Sequence, residues 1–355
     1  MKLLKKLVCA VCALALVLGC AFTLAGCKVN EEYKKVYEDG VFVGWELNYS
    51  GYKNKLTGDI KIPDEHIEGD LKGPVIKIGD QAFSNSKITS VFIPETVKEI
   101  GIAAFAFNIR LSKVTFEEGI QLDEISQAAF AYCEALTEIN LPQGIKTIGF
   151  FAFLNCSKLQ SIVIPEGVTI VRISAFEYCT SLESVTLPES LVTIGNQAFY
   201  NTALREVVIP AAVEDKFVEH TTEDGEDDSY TLYGIGYGAF HTCAQLEKVT
   251  VNGRIKTIPS GAFGYCPKLT QIFLPSTLKE VQGALFTGSN MNYAHAFHSG
   301  NSSLEIYFEG SSADWLTVDI DDSTVKYNGV TYTNGSVLNV AVSAIHYNAT
   351  GLPNE

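Results

Sequence analysis

Ile148-Gly149-Phe150-Phe151-Ala152-Phe153-Leu154-Asn155-Cys156-Ser157-Lys158-Leu159-Gln160-Ser161-Ile162-Val163-Ile164-Pro165 is one unit of a pattern that recurs along the chain. The Ile-Gly-x-x-Ala-Phe core returns with its Phe at Phe83, Phe105, Phe130, Phe153, Phe176, Phe199, Phe240, Phe263 and Phe286. The successive gaps are 22, 25, 23, 23, 23, 41, 23 and 23 residues. Each unit changes period midway. Ile148, Ala152 with Phe153, and Cys156 fall at i, i+4 and i+8, which predicts a short helical turn. Ile162 and Ile164 then alternate with Ser161 and Val163, the period of a strand with one face inward. Pro165 ends the strand, and Pro94, Pro142, Pro188, Pro210 and Pro275 hold the same register. Gly79, Gly101, Gly149, Gly195 and Gly236 suit the turn into the helical side.

A single unit of 23 residues buries too little apolar surface to offset the entropy of ordering it. Neighbouring units must therefore stack, sharing a core and strand hydrogen bonds in one continuous array. The 355 residues are accordingly read as one capped array rather than two domains.

The period and phrase resemble the BspA-type leucine-rich repeats of bacterial surface proteins. The stretches Tyr307-Phe308-Glu309-Gly310, Ala313-Asp314-Trp315 and Ala344-Ile345-His346-Tyr347-Asn348 resemble the ends of such arrays. The resemblance implies an α/β repeat protein, a curved leucine-rich-repeat solenoid. Parallel strands would line one face and short helical or 3-10 segments the other. The expected organisation is a leader over residues 1–26, a lipid-anchored tether over 27–38 and an N-terminal cap over 39–77. Nine repeats follow over 78–310, with insertions near 211–234 and 287–303, and a C-terminal cap over 311–355. Within the caps, Val41 to Tyr49, Asp59 to Pro63 and Ser336 to Ser343 are candidate strands, and Trp315 is a candidate core residue.

The leader begins with Lys2, Lys5 and Lys6, continues as an apolar run and ends in Leu24-Ala25-Gly26-Cys27. This order describes a secretory signal peptide, and its end resembles the lipobox of bacterial lipoproteins. By that resemblance Cys27 becomes the first mature residue and carries a lipid that holds the protein on a membrane. An uncleaved N-terminal membrane span is the alternative. The leader holds three Lys and no acid, so its removal takes the formal charge from −15 to −18. Such an acidic balance argues against nucleic acid as a partner.

Nine cysteines reduce to three in the leader (Cys9, Cys12 and Cys20), Cys27, and five in the array. Cys133, Cys156, Cys179, Cys243 and Cys266 each lie three residues after the repeat Phe, which predicts a ladder of buried thiols. Disulfides between adjacent rungs are one alternative, for which the coil spacing allows the Cα distance but parallel Cβ vectors fit poorly; zinc is another, with no Cys-x-x-Cys or His partner beside the thiols. His295 and His298 could take a metal, but a surface loop accounts for them. The acids of the larger insertion, among them Glu214, Asp215, Asp224 and Asp227, do not match an EF-hand loop. No phrase of a known catalytic or nucleotide-binding motif appears, so no catalytic residue, metal or cofactor is expected.

If Ile162 and Ile164 point inward, their neighbours point out along the strand face. The same reading in every unit gives an outward column of Phe92, Thr115, Asn140, Val163, Thr186, Val208, Thr250, Phe273 and Tyr307. A flanking column runs Ser90, Lys113, Glu138, Ser161, Ser184, Glu206, Lys248, Gln271 and Glu305. At about 4.8 Å per strand the nine rungs make a strip about 40 Å long. Aromatics at its ends and small polar groups between them suit protein recognition, although Thr and Val also satisfy strand propensity alone. The function expected is a non-enzymatic adhesion or protein-binding lipoprotein at the bacterial cell surface, with an extracellular or host protein as partner. Glycan or nutrient capture is the alternative, and a metal-dependent role centred on the insertions is a third reading.

Overall fold

The computed structural model describes residues 30–50, 56–218, 230–232, 234–282, 304–320, 324–327, 330–333 and 345–353. The leader, Cys27, Phe286, His295, His298, Asp224, Asp227 and the stretch from Ser336 to Ser343 lie outside them.

The array is a parallel solenoid with two strand ladders and one turn face. The long ladder is assembled from Thr57–Lys61, Lys87–Ile93 and Lys113–Phe116, then Ser161–Val163 and Ser184–Thr186. It continues through Glu206–Ile209, Lys248–Val251, Gln271–Leu274, Glu305–Phe308 and Ile345–Tyr347. A second ladder of two-residue strands follows each corner, at Glu99–Ile100, Glu124–Ile125, Thr147–Ile148, Ile170–Val171 and Thr193–Ile194. It resumes at Thr257–Ile258, Glu280–Val281 and Asp319–Ile320. Glu99–Ile100 pairs back to the N-terminal cap, whereas Glu124–Ile125 pairs forward, so this ladder is interrupted between them. The interruption falls in the 25-residue gap between Phe105 and Phe130.

The third side differs from the expected helical segments. In the coil of Phe153, successive N–H groups alternate between two kinds of partner. Ala152, Leu154 and Cys156 donate to carbonyls three residues back, Gly149, Phe151 and Phe153, at 3.0–3.3 Å. Phe151, Phe153 and Asn155 instead donate to the next coil, to Ile173, Ala175 and Glu177, at 2.8–3.1 Å. A helix would spend every donor within its own turn; here every second one crosslinks the coils. The backbone allows this by entering the left-handed region two residues either side of the Phe, with φ of 58° at Phe151 and 56° at Asn155. The double turn still buries positions at i, i+4 and i+8, which is why its apolar spacing imitates a helix. The repeat glycines serve another purpose: an added Cβ at Gly149 would stand 2.6 Å from the Ile125 carbonyl oxygen. Ser126 takes this register where the short ladder is interrupted. The helix among the described residues is α1, Ser312–Trp315, with a Ser311–Asp314 capping box. Trp315 is buried against Phe308, ring centroids 5.1 Å apart.

The repeat phenylalanines form the spine of the core. From Phe83 to Phe263 the eight described rings stack at centroid separations of 5.1–5.6 Å and within 13° of parallel. All eight are fully buried. The Phe199–Phe240 step is 5.3 Å although 41 residues separate the two. Beside this spine runs the cysteine ladder. The five thiols are buried and unpaired. Cys133, Cys156, Cys179 and Cys266 each donate to the carbonyl of the repeat Phe one coil back, at 3.2–3.3 Å. Cys243 makes the same bond to Phe199. In the same register Asn108 donates to the carbonyls of Phe83 and Phe105, so the position calls for a small donor and a thiol suffices.

Burial pushes the thiols of Cys133 and Cys179 well above the ordinary cysteine value and that of Cys156 up to about 12. These groups stay protonated and unreactive in the folded state. Iodoacetamide at pH 8 should therefore leave Cys133, Cys156 and Cys179 unlabelled until denaturant is added, and then label all three together. Stoichiometric labelling of the native protein, read by mass spectrometry, would remove the ladder as described.

At the N-terminal end, β1 (Asn30–Glu38), β2 (Val41–Ser50), β3 (Thr57–Lys61), β4 (Glu65–Glu68) and β5 (Leu71–Ile78) begin the chain's fold. β5 hands over to the short ladder at Glu99 and β3 to the long one at Lys87–Ile93. Residues 30–38, expected as part of a polar tether, are instead the edge strand β1. Alternate members Tyr33, Lys35 and Tyr37 lie opposite Leu47, Trp45 and Phe42 in β2, a pairing hidden in sequence by the charges between them. The sheet order is β1-β2-β5-β4, yet its two outer strands meet. Tyr33 stacks on His66 at 3.5 Å and Lys35 bridges Glu68 at 2.8 Å. The sheet is therefore rolled, with Trp45 fully buried inside it.

Candidate functional site

The outward column expected from the alternation is in register within each of the three sheets that make up the long ladder. Phe92 pairs with Thr115, Val163 with Thr186, Val208 with Thr250, Thr250 with Phe273 and Phe273 with Tyr307. Their inward neighbours Val91, Val114, Ile162, Val207 and Val249 are buried, which is the reason these side chains are turned out. Asn140 and Thr186 are exposed, and Phe92, Thr115, Thr250 and Tyr307 are half-buried. Val163 and Val208 are 63% and 54% exposed. Phe273 departs from the expectation of an exposed anchor: it is only 5% exposed. It sits on an interior strand with Thr250 and Tyr307 beside it in register, where a large ring packs rather than projects.

The structure extends the column at both ends beyond the nine residues. Lys61 of β3 pairs with Phe92, and His346 pairs with Tyr307. The Lys61 ammonium stands 5.4 Å from the Phe92 ring centroid, in cation–π position, and 3.8 Å from the Asp64 carboxylate. Beside it, the hydroxyls of Ser90 and Thr89 donate to Asp59 at 2.6 and 2.9 Å and hold its carboxyl below the usual range. At the other end the Tyr307 and His346 rings stack at 4.4 Å. Tyr307 donates to Glu305 at 2.6 Å, and that bond, with burial, raises its phenol to about 12. The Ile60–Ile62 and Ile345–Tyr347 alternations carry the signal for these two end rungs.

The surface between them is shallow. Two concavities of about 300 Å³ each lie at its N-terminal end, one around Asp59, Lys61, Phe92 and Thr115, the other around Lys113, Glu138 and Asn140. Neither encloses a small molecule as an enzyme pocket does. Among the described residues no group of three His, Cys, Asp or Glu is placed to hold a metal ion. Asp215, counted in sequence with an acidic loop, has a structural task instead. One carboxylate oxygen accepts from the Gly234 N–H at 2.8 Å, and the other from Lys256 and Thr257 at 2.7 and 2.9 Å.

The profile of the family described as BspA type leucine rich repeat region matches residues 69–124, 120–217 and 228–315, in six copies. The chain belongs to the BspA-type leucine-rich repeat family. Among solved structures, this BspA-type chain is similar to a leucine-rich cell surface protein from Faecalibacterium prausnitzii A2-165. Identity is 24%, the match covers 84% of this chain and 99% of that one, and the TM-score is 0.45. A leucine-rich repeat protein from Bacteroides ovatus ATCC 8483 is 23% identical over 81% of this chain and 88% of that one, with a TM-score of 0.41. The pneumococcal vaccine antigen PcpA is 17% identical over 91% of this chain and 97% of that one, with a TM-score of 0.34. No curated protein matches the chain.

Proposed function

We propose that this BspA-type chain is a cell-surface lipoprotein, anchored through Cys27, that binds an extracellular or host protein with its strand face and catalyses no reaction. The outward column from Lys61 to His346, in register within each of its three sheets, supports the reading. It is a rigid, extended and weakly charged surface, with aromatic residues near each end and exposed valines in the middle. Exposed apolar side chains held in a row on parallel strands are a surface suited to covering by a partner. The shallowness of the face favours a macromolecule over a small substrate.

Cells displaying the full-length protein should retain a panel of extracellular-matrix and host-surface proteins. The double variant Val163→Asp/Val208→Asp should reduce that retention at least tenfold. A Cys27→Ser control should appear in the medium rather than on the cells. Retention unchanged by the double variant would remove the strand face from the proposal, and a cell-bound Cys27→Ser protein would remove the lipid.

A further inference from the structure

A further cavity lies away from the strand face, on the flank where the short ladder is interrupted. It is a groove of about 940 Å³ running across the coils of Phe83, Phe105, Phe130 and Phe153. Its formation follows from the irregular repeat: the gap between Phe105 and Phe130 exceeds the 23-residue period by two, and the Glu99–Ile100 and Glu124–Ile125 strands on its two sides do not pair. Gly101, Ser126 and Gly149 lie along it. Val36 and Glu38 of β1 border it on the N-terminal side and Arg172 on the other.

The lining is chemically mixed. The Phe150 ring is half-buried, with the Arg172 guanidinium 5.0 Å from its centroid. Gln127 contributes an amide, and Lys77 and Glu99 are fixed to each other at 2.7 Å. Asp123 and Glu124 add carboxylates and Lys98 adds a cation. Ser126 is 7% exposed and is one of the residues lining the groove.

We propose that this groove binds a neutral oligosaccharide. Such a chain presents hydroxyls that both donate and accept, which suits planar carboxylate, amide and guanidinium groups set together. Its pyranose faces are apolar and fit against an aromatic ring such as Phe150. Beyond the Lys77–Glu99 pair the lining carries Glu38, Asp80, Asp123 and Glu124 with Lys98 and Arg172 among them, so a charged ligand of either sign meets like charge somewhere along the groove. The site is separate from the strand face, so the two are tested by different substitutions.

The test uses the full-length chain in a detergent without a sugar headgroup, titrated with cello-, xylo-, manno-, malto- and chito-hexasaccharides and with a decamer of alternating Lys and Gly. Binding is read by saturation-transfer NMR and calorimetry. At least one hexasaccharide should bind saturably, with affinity reduced tenfold or more by Phe150→Ala and several-fold by Ser126→Ala. The conservative Phe150→Tyr should retain it, and Phe92→Ala on the strand face should leave it unchanged. Ser126→Ala removes one oxygen only, so its effect is readable even if Phe150→Ala lowers the folding midpoint. The proposal is overturned if no hexasaccharide binds, if binding survives both groove substitutions, if Phe92→Ala abolishes it, or if only the Lys-Gly decamer binds.

Discussion

Replacing Phe176 with alanine should destabilise the array by about 3–5 kcal/mol, the cost of deleting a large buried aromatic and leaving its cavity. The ring lies between Phe153 and Phe199, 5.2 Å from each, and is fully buried. Neither neighbour can close the gap, because both are held in their own stacks and their coils are crosslinked by backbone hydrogen bonds. In a solenoid the loss falls on two interfaces at once, the one before the rung and the one after. Unfolding should therefore become less cooperative, with the coils on either side of Phe176 losing protection from hydrogen exchange before the rest. Denaturant titration measures the energy and exchange mass spectrometry the location. A loss under 1 kcal/mol, or an unchanged single transition, would contradict a load carried by the stack.

Asp215→Ala should be nearly as damaging, at about 2–4 kcal/mol, although the residue is only partly buried. Its carboxylate accepts three backbone N–H bonds, from Gly234, Lys256 and Thr257, and bonds to a charged acceptor are each stronger than neutral ones. Water can replace part of the loss at the Lys256 N–H, which lies at an exposed position. Asp215→Asn should recover a fraction of the stability, since one amide oxygen can accept but the amide nitrogen cannot. Equal stability of the alanine variant and the parent protein, measured by thermal and denaturant unfolding, would show that the clasp is dispensable.

The sequence makes the repeat legible because each coil demands the same large apolar residue at the same place. Phe153 has to meet Phe130 and Phe176, so the period survives variation elsewhere. The outward column was legible for the same reason: Ile162 inward fixes Val163 outward. The conformation of the third side was not. Ile148, Ala152 and Cys156 are buried by a double turn as well as by a helix, and apolar spacing alone does not separate the two. Left-handed φ at Phe151, Asn155 and their equivalents falls mostly on residues other than glycine, which leaves no compositional mark. β1 was hidden by charge, since Lys34, Lys35 and Glu38 surround the tyrosines that pair with β2. Burial of Phe273 depends on side chains of neighbouring strands, and Asp215 on backbone groups 19 and more residues away. The groove was foreshadowed only by one number, the 25-residue gap, which reads as harmless variation until the short ladder is seen to break there.

The 5.3 Å step from Phe199 to Phe240 falls within the 5.2–5.6 Å range of rungs that are 23 residues apart. Both ends of the intervening segment are fixed, on one side by the strand at Glu206–Ile209 and on the other by the Asp215 clasp on Gly234. Lengthening a chain between two fixed points adds only a slowly growing closure entropy. That corner is a place where evolution can add sequence without altering the geometry of the coils on either side. An engineer could use it likewise, grafting a guest domain there while the scaffold keeps its pitch.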